Sequence, residues 1–509
     1  MIDHGTPIMA RIASPSPPLW LAASLLALAL AGCTVGPDFK APAPAAPQDW
    51  TEWHSGDAAT PLPADLATDL RPDWWRNFGD PVLDELETRA LAGSPDLETA
   101  ALHFAQARVQ QGAVSSQALP QVNASAGATR IRQSENGAST RLFDAIAGGN
   151  RDALAKFLSD PFTLYQGGFD AGWEPDLWGR VSRSIEAVGA QTQGKAALLD
   201  AARISIVGDV AQTYFELREQ QRRIALARDL IATLTDQTAL VRARMQGGAQ
   251  NGIDLDQQSA TLKQAEAQLP ALIAAETAGR NRLTLLLGQH PGALDDLLRP
   301  RPAAELAPPA LALGVPSDLA RRRPDIRAAE AGLHAATAQV GVAVADLYPS
   351  IRIGGSFSLE SFRQASLFDW ASRSWAIGPS ISLPIFDGGR RKRVVELRKL
   401  EQREAAVGYQ KTVLQAWGEI DSALTAYAAE RQTNASLKAR AAATGDAHAL
   451  VLARNRAGAV SSIEVGSAHA AWLQAQADLA QSDGRLARQY VAINKALGNG
   501  PTTANAPSP

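Results

Sequence analysis

The chain has 509 residues, 46% of them hydrophobic, which excludes a mainly disordered protein and allows a large buried core. Its 49 basic and 52 acidic side chains leave a net charge of -3, so no global field favours nucleic acid or acidic partners. A single Cys excludes an intrachain disulfide framework, and scattered His residues without an HxxH or HExxH pair argue against a zinc site.

The first feature in chain order is an apolar run, Leu19 to Ala31, preceded by Arg11 and ending Leu30-Ala31-Gly32-Cys33. Its length and the small residues before Cys33 read as a secretory signal with a cleavage site, and the tetrapeptide resembles the bacterial lipobox. That resemblance implies removal of residues 1–32 and covalent lipid, diacylglycerol and N-acyl, at Cys33. No metal or other cofactor is expected. A single transmembrane anchor is the alternative, although the run is shorter than the ~20 apolar residues a spanning helix needs. Translation starts at Met1 or at Met9, the second giving the cleaner opening Met9-Ala10-Arg11. Thr34 rather than Asp after Cys33 implies, by analogy with enteric sorting rules, transfer to the outer membrane.

Residues 33–72, rich in Pro, Ala and Asp, read as an extended tether. Asp73 to Pro81 concentrates aromatics ahead of a helix that Pro81 starts, with Leu83, Leu86 and Ala90 at helical spacing. A second helix follows Ser94-Pro95-Asp96 and runs to about Ala118. Pro120 then opens a weakly alternating strand, Gln121 to Arg132, whose partner is Leu164 to Trp173, with Tyr165, Phe169, Ala171 and Trp173 on one face. Ser134 to Asp160, between them, reads as a long loop.

Later in the chain Ser350 to Glu360 alternates Ile351, Ile353, Phe357 and Leu359 with small or polar residues. Ser374 to Leu383 does the same with Trp375, Ile377, Pro379, Ile381 and Leu383. Each run is about ten residues, the length a tilted strand needs to cross a bilayer core of ~30 Å, although a soluble sheet can also hold it.

No proline lies between Pro175 and Pro270 or between Pro384 and Pro501, and helix formers dominate both tracts. Val207, Val210, Tyr214, Leu217, Ile224 and Ile231 share one heptad register, and Val413, Trp417, Ile420, Leu424 and Tyr427 alternate steps of four and three. Each tract is interrupted once, at Gln246 to Gly252 and at Arg456 to Ser462, which predicts two antiparallel helical hairpins. An arm of ~65 residues would reach almost 100 Å at about 1.5 Å per residue, longer than a compact domain requires.

The chain uses one design twice. Pro95 matches Pro324 and Pro120 matches Pro349, 229 residues apart, while Gly248 matches Gly458 and Leu287-Gly288 matches Leu497-Gly498, 210 apart. The first repeat is then 73–290, a linker 291–317, the second repeat 318–498 and a tail 499–509. Four strands cannot close a barrel, since the smallest membrane barrels have about eight, and an open edge in lipid costs several kcal/mol per unpaired backbone group. If the strands span a membrane, several copies share one barrel.

The residues resemble the TolC-like outer membrane factors, in particular the NodT-type efflux outer membrane lipoproteins, over nearly everything from Leu30 to Gly498. The motifs that carry the resemblance are Cys33 to Phe39, Trp74-Trp75 to Asp80-Pro81, Trp173 to Arg180, Pro316 to Leu319, Arg322 to Ile326, and Leu383 to Arg390. It implies an α+β, mainly helical fold whose helix-strand-strand-helix units build a homotrimer. Twelve strands would form one outer membrane β-barrel, continued by a long periplasmic α-helical barrel. The implied role is the passive exit duct of a tripartite efflux system, fed by an inner-membrane pump and a periplasmic adaptor, anchored among outer membrane lipids.

Several residues are candidates for that role. Asp254, Asp256 and Glu464 lie near the predicted helical turns, where three copies of each would make carboxylate rings at the entrance; ordinary exposed acids are the alternative. Gly248 and Gly458 mark the turns where an adaptor would dock by family analogy, though hairpin turns need no partner. By the same resemblance, relatives carry Asp and Arg one and two turns beyond the second tip; Ser467 and Ala470 stand there in this chain and depart from that pattern, so the resemblance does not carry the usual ionic latch over and points to the first-half acids as the gate. The basic run Arg390 to Arg393 reads as a solvated helix start or as a contact with lipid headgroups. Pro384 to Arg390 lacks the Lys-Ser/Thr of a phosphate loop, and no GxSxG, CxxC or paired carboxylate set supports an enzyme. The competing reading is a lipid-tethered periplasmic coiled-coil scaffold.

Overall fold

The alternating segments form one four-stranded antiparallel sheet, with strands β1 (Gln121–Ile131), β2 (Phe162–Trp173), β3 (Ser350–Ser361) and β4 (Arg373–Ser382) in the order β1-β2-β3-β4. The computed structural model describes residues 34–43, 70–136, 151–301, 308–314 and 322–502. Cys33 with the residues read as a signal peptide, most of those read as a tether, and residues 315–321, which carry the Pro316 to Leu319 motif, lie outside the described residues. The chain divides into two units, one of Met1–Phe39, Gln110–Gly189 and Ala335–Gln402, the other of Lys40–Val109, Ala190–His334 and Arg403–Pro509.

The first unit contains the sheet. Its central pair joins the two repeats: β2 from the first lies against β3 from the second, while β1 and β4 are the outer strands. The register stacks like upon like. Phe169 lies opposite Phe357, which lies opposite Trp375; Trp173 faces Ile353, which faces Pro379; Ile351 faces Ile381. Residues directly opposite share a face, so all four strands turn their apolar side the same way. The other side carries Asn123, Asp170, Ser356 and Ser380, and Asn123 Nδ2 donates to Asp170 Oδ2 at 3.0 Å. Phe169, Trp375, Ile377 and Ile381 are all exposed. An apolar face of this extent is unstable against water and needs lipid or another chain over it.

The expected loop from Ser134 to Asp160 holds a nine-residue helix, α3 (Arg151–Ser159). Ala155 and Ser159 are buried on one side, at the i, i+4 spacing of a helix face. Nine residues give a periodic signal too short to separate from a polar loop.

The second unit is helical. Helix α1 (Pro81–Gly93) begins where Asp80 Oδ1 accepts from Val82 N at 2.9 Å, and Pro81 supplies a first position that needs no N–H partner. It is followed at once by α2 (Pro95–Ser115). The two predicted hairpins are α4 (Arg180–Gln246) with α5 (Gly252–Leu286), and α7 (Arg390–Arg456) with α8 (Ser462–Ala496), preceded by α6 (Pro324–Ala345). Both long arms have 67 residues and both return arms 35, so duplication is preserved to the residue. Helix α5 runs on through Pro270.

Heptad positions Val207, Val210, Tyr214 and Leu217 meet Val413, Ile420, Leu424 and Tyr427 in one core, together with Trp74, Trp75, Leu83, Leu86, Tyr490 and Val491. Trp74 and Trp75 meet edge to face at 5.9 Å, Phe78 lies against Phe215 at 4.6 Å with the rings tilted by 45°, and the Tyr214 hydroxyl donates to Asp80. The aromatic cluster before α1 therefore packs into the α4–α8 core. Charged pairs run along that seam: Asp209 with Lys495 at 2.9 Å, Glu219 with Arg488 at 2.6 Å, Arg222 with Asp483 at 3.1 Å. Glu219 is buried and keeps Arg223 of its own helix at 3.5 Å, and a slip of one helical turn would break all three cross-helix pairs at once, so together they favour this register.

Candidate functional site

The segment Trp173 to Arg180, which leads from the sheet into α4, is held by the side chains of Trp173, Glu174, Asp176, Trp178 and Arg180. Trp173 Nε1 donates to Ala118 O at 2.9 Å, and Glu174 takes both arms of Arg180 at 2.9 and 3.1 Å. Asp176 accepts from the amides of Val181 at 2.9 Å and Ser182 at 2.6 Å, satisfying two free N–H groups of the first helical turn. Trp178 stacks on Tyr348 with centroids 4.9 Å apart and donates to Pro349 O at 2.8 Å, tying the first repeat to the start of β3.

The N-terminal segment docks on the same structure. Val35 N donates to Trp178 O at 3.1 Å, Arg183 binds Asp38, and a Cβ at Gly36 would stand 2.5 Å from Gly341 Cα. Gly179 has φ +79°, and a side chain there would meet Thr34 at 2.8 to 3.0 Å. Gly179→Val is expected to strain the αL turn by roughly 1–2 kcal/mol and expel Thr34. Limited proteolysis of the segment around Thr34 to Phe39 should accelerate in that variant while the core fragments stay protected.

The hairpin tips are built alike. Ala249 N reaches Arg244 O at 2.8 Å and Ala459 N reaches Arg454 O at 2.9 Å, with Gly248 and Gly458 in the left-handed region at φ +74° and +76°. These are helix-ending turns that require glycine for backbone reasons. Asn251 then caps α5 by accepting from Asp254 N at 3.0 Å, and Ser461 caps α8 by accepting from Glu464 N at 3.3 Å. Asp254 and Glu464 thus occupy the acidic position of a helix first turn, where a carboxylate is favoured locally, and Asp256 is exposed. Ser467 accepts from Gln237 Nε2 at 3.4 Å and donates to Ile463 O at 2.9 Å, so its contacts are neutral ones.

In the basic run, Arg391 is engaged by Asp346 O at 2.6 Å and Asp387 at 3.7 Å, and Arg393 by Glu396 at 2.7 Å, while Arg390 and Lys392 are exposed.

The two repeats differ in burial where they agree in sequence position. Leu397, Leu400, Val407 and Leu414 form a heptad stripe on α7 that is between 51% and 68% exposed. Their equivalents on α4, 210 residues earlier, are Ala187, Ala190, Ala197 and Ile204, which are 6% exposed or less. What covers part of the α4 stripe is α6, whose Ala331 lies against Gly194 and whose Arg327 pairs with Asp200 at 3.1 Å. The first-repeat equivalent of α6 is α2, where Leu102 and Val109 are 55% and 74% exposed; the matching α6 residues, Ala331 and Ala338, are buried.

Three groups have roles that the sequence reading did not assign. Arg323, buried, donates to Ala496 O at 2.7 Å and to Asp325 and Glu419, closing the end of α8. Glu87 is fully buried and neither carboxylate oxygen has a partner; burial first, then the nearby Asp84, pushes its pKa well above the usual range. His448, His469 and Trp472 stack together beyond the second tip. The signal for Glu87 was present, since it falls on the apolar face with Leu83, Leu86 and Ala90.

Among the described residues no helix is long and apolar enough to cross a membrane, and no group of three or more potential ligands could hold a metal. The profile of the outer membrane efflux protein family matches residues 86–289 and 315–499. Outer membrane protein OprJ of Pseudomonas aeruginosa is 31% identical over 495 residues, covering 95% of this chain and 96% of its own. Nodulation protein T of Rhizobium leguminosarum bv. viciae is 28% identical, covering 96% and 95%. The solved outer-membrane channel OprN superposes with a TM-score of 0.78 at 30% identity, over 92% of this chain and 99% of its own.

Proposed function

This chain belongs to the outer membrane efflux protein family and is an outer membrane channel of a tripartite efflux system, and from that premise we propose that three copies assemble into one passive duct. The observation that carries the proposal is the unequal burial of equivalent stripes. Helix α6 covers in one chain what only α2 of a neighbouring copy would cover on α7, so each chain is left with one donor and one acceptor surface facing opposite ways along a ring. The outer strands β1 and β4 pair in the same sense, and the wide apolar face then meets lipid.

Copy number follows from the lumen. Two copies would supply eight strands, a number whose interior side chains fill. Three supply twelve, and the inner face is lined by small residues such as Gly168, Gly354, Ser356 and Gly378 that keep it open. The helical hairpins extend into the periplasm as a tunnel whose entrance is ringed by Asp254, Asp256 and Glu464, and the Gly248 and Gly458 turns receive a periplasmic adaptor that links the duct to an inner-membrane transporter. Lipid on Cys33 anchors the chain, a reading supported by the docking of the very next residue, Thr34, on Gly179 just beyond β2.

Disulfide trapping tests the ring. The pair Val109→Cys with Val407→Cys should give oxidant-dependent dimers and trimers on denaturing gels, and either substitution alone should give neither. Heat-resistant trimers without any cross-link would leave the duct standing but remove α2 and α7 as its interface. A stable monomer in detergent would remove the assembly itself. Separately, Cys33→Ser should abolish palmitate labelling while heat-resistant trimers persist.

A further inference from the structure

We infer that His448, His469 and Trp472, with Thr233, form a clasp that holds the two helical hairpins together at neutral pH and loosens in mild acid. The inference rests on the duct reading and adds a control point to it. His448 comes from α7, His469 and Trp472 from α8 and Thr233 from α4, so one cluster ties both hairpins. The imidazoles stack with centroids 4.7 Å apart at 24°, and each lies 5.7 Å from the indole. The indole fits because position 445 is glycine: a Cβ there would stand 3.1 Å from Trp472 Nε1. The first hairpin has no such cluster. The positions 210 residues earlier hold Thr238, Ser259 and Leu262, and Leu262 packs in an aliphatic core with Leu234 and Ala265.

Two observations make the cluster a switch rather than filler. Along the α4–α8 seam the other polar contacts among the described residues include Lys or Arg with Asp or Glu, Arg222 with Gln476, and Gln237 with Ser467 and the Ile463 carbonyl. None of these groups ordinarily titrates between pH 5 and 8, whereas imidazole does. Secondly, Thr233 Oγ1 donates to Asp229 O at 2.9 Å, which leaves its oxygen to accept from the Nδ1–H tautomer of His469, whose Nδ1 lies 2.9 Å away. The neutral ring keeps Nε2 as its basic atom, and protonation there puts charge inside the stack. The indole face tolerates one cation, but two stacked imidazolium rings repel.

The groups facing His469 are Asp229 from α4, His448 from α7 and its own neighbour Trp472 on α8. Burial and His448 hold the His469 pKa below its ordinary 6.5, with Asp229 opposing. A His whose folded pKa is depressed stabilises the clasped state fully above its unfolded pKa, and that stability is lost as pH falls from there toward the folded pKa. The window is therefore below about pH 6.5. Each proton taken up changes the ratio of clasped to unclasped hairpins by at most tenfold per pH unit.

The test is conductance of the full-length lipidated protein in planar bilayers, with the helical side at pH 7.5 and then 5.5. Wild type should conduct roughly three- to tenfold more at the lower pH, within the limit that proton linkage sets. The double variant His448→Phe, His469→Phe keeps the stack without the charge and should lose the rise. His469→Gln keeps a donor to Thr233 and should flatten it as well, which guards against misfolding of the aromatic variant. An undiminished rise in either variant overturns the clasp. Wild-type trimers that conduct equally at both pH values overturn it too, with the duct intact, whereas trimers that never conduct overturn the duct reading and the clasp with it.

Discussion

Ile377→Arg is expected to prevent assembly of the channel in the outer membrane, whereas Ala376→Arg, one residue away, is expected to be tolerated. Ile377 lies near the middle of β4, opposite Gly355 and in the row that continues to Ala171 and Val122, and its side chain is 75% exposed on the apolar face. An arginine facing lipid near the bilayer midplane of a β-barrel costs about 2–4 kcal/mol. Three symmetry-related copies would multiply that to roughly 6–12 kcal/mol per barrel, which is comparable to a whole domain's stability. Ala376 points to the opposite face, among the small and polar residues opposite Ser356. Heat-modifiable migration of outer membrane fractions measures the outcome. Equal loss of trimers in both variants would show that the faces are assigned wrongly.

Glu87→Leu is expected to stabilise the protein, and more at pH 8 than at pH 5.5. In the folded chain this carboxyl is fully buried on the same face of α1 as Leu83, Leu86 and Ala90, with both oxygens unpartnered. Burial raises its pKa well above 4.5, so the folded state binds this proton more tightly than the unfolded chain does. The sign follows. As pH climbs above the ordinary carboxylate range, the unfolded chain releases the proton and the folded one retains it, and stability falls until the raised pKa is passed. Leucine removes both that dependence and the unsatisfied oxygens, for a gain of about 2 kcal/mol. Rates of thermal dissociation in detergent at the two pH values are the measurement, since unfolding of such assemblies is seldom reversible. A variant that melts no later than wild type at pH 8 would mean that Glu87 has a partner in the assembled protein. Glu87→Gln should recover the pH independence but little of the packing.

The sheet and hairpins were legible because their signals are repetitive. Alternation over ten residues can only be a strand with two unlike faces, and heptads over sixty residues can only be a long packed helix. Duplication reinforced each assignment, since Gly248 and Gly458 mark the same turn. Helix α3 was illegible for the converse reason: Arg151 to Ser159 offers two turns and no repeat. Among the candidate site residues, Gly248 and Gly458 were recognisable because a left-handed turn demands glycine. The roles of Asp254 and Glu464 as first-turn acids depended on Asn251 and Ser461 just before them, a local pattern open to inspection.

By itself, then, the amino-acid order determined which segments are strands and helices, that they come in two copies, and that four strands leave edges to be closed by other chains. These properties depend on neighbours a few positions away and on backbone hydrogen bonding. Only the tertiary structure decided that the Ala187 to Ile204 stripe is buried, in part under α6, while Leu397 to Leu414 stays bare, that Glu87 ends without a partner, and that His448 meets His469. Each of these is a contact, or the lack of one, between groups far apart in sequence or with solvent, and the periodicity of a single segment carries no information about what packs against it.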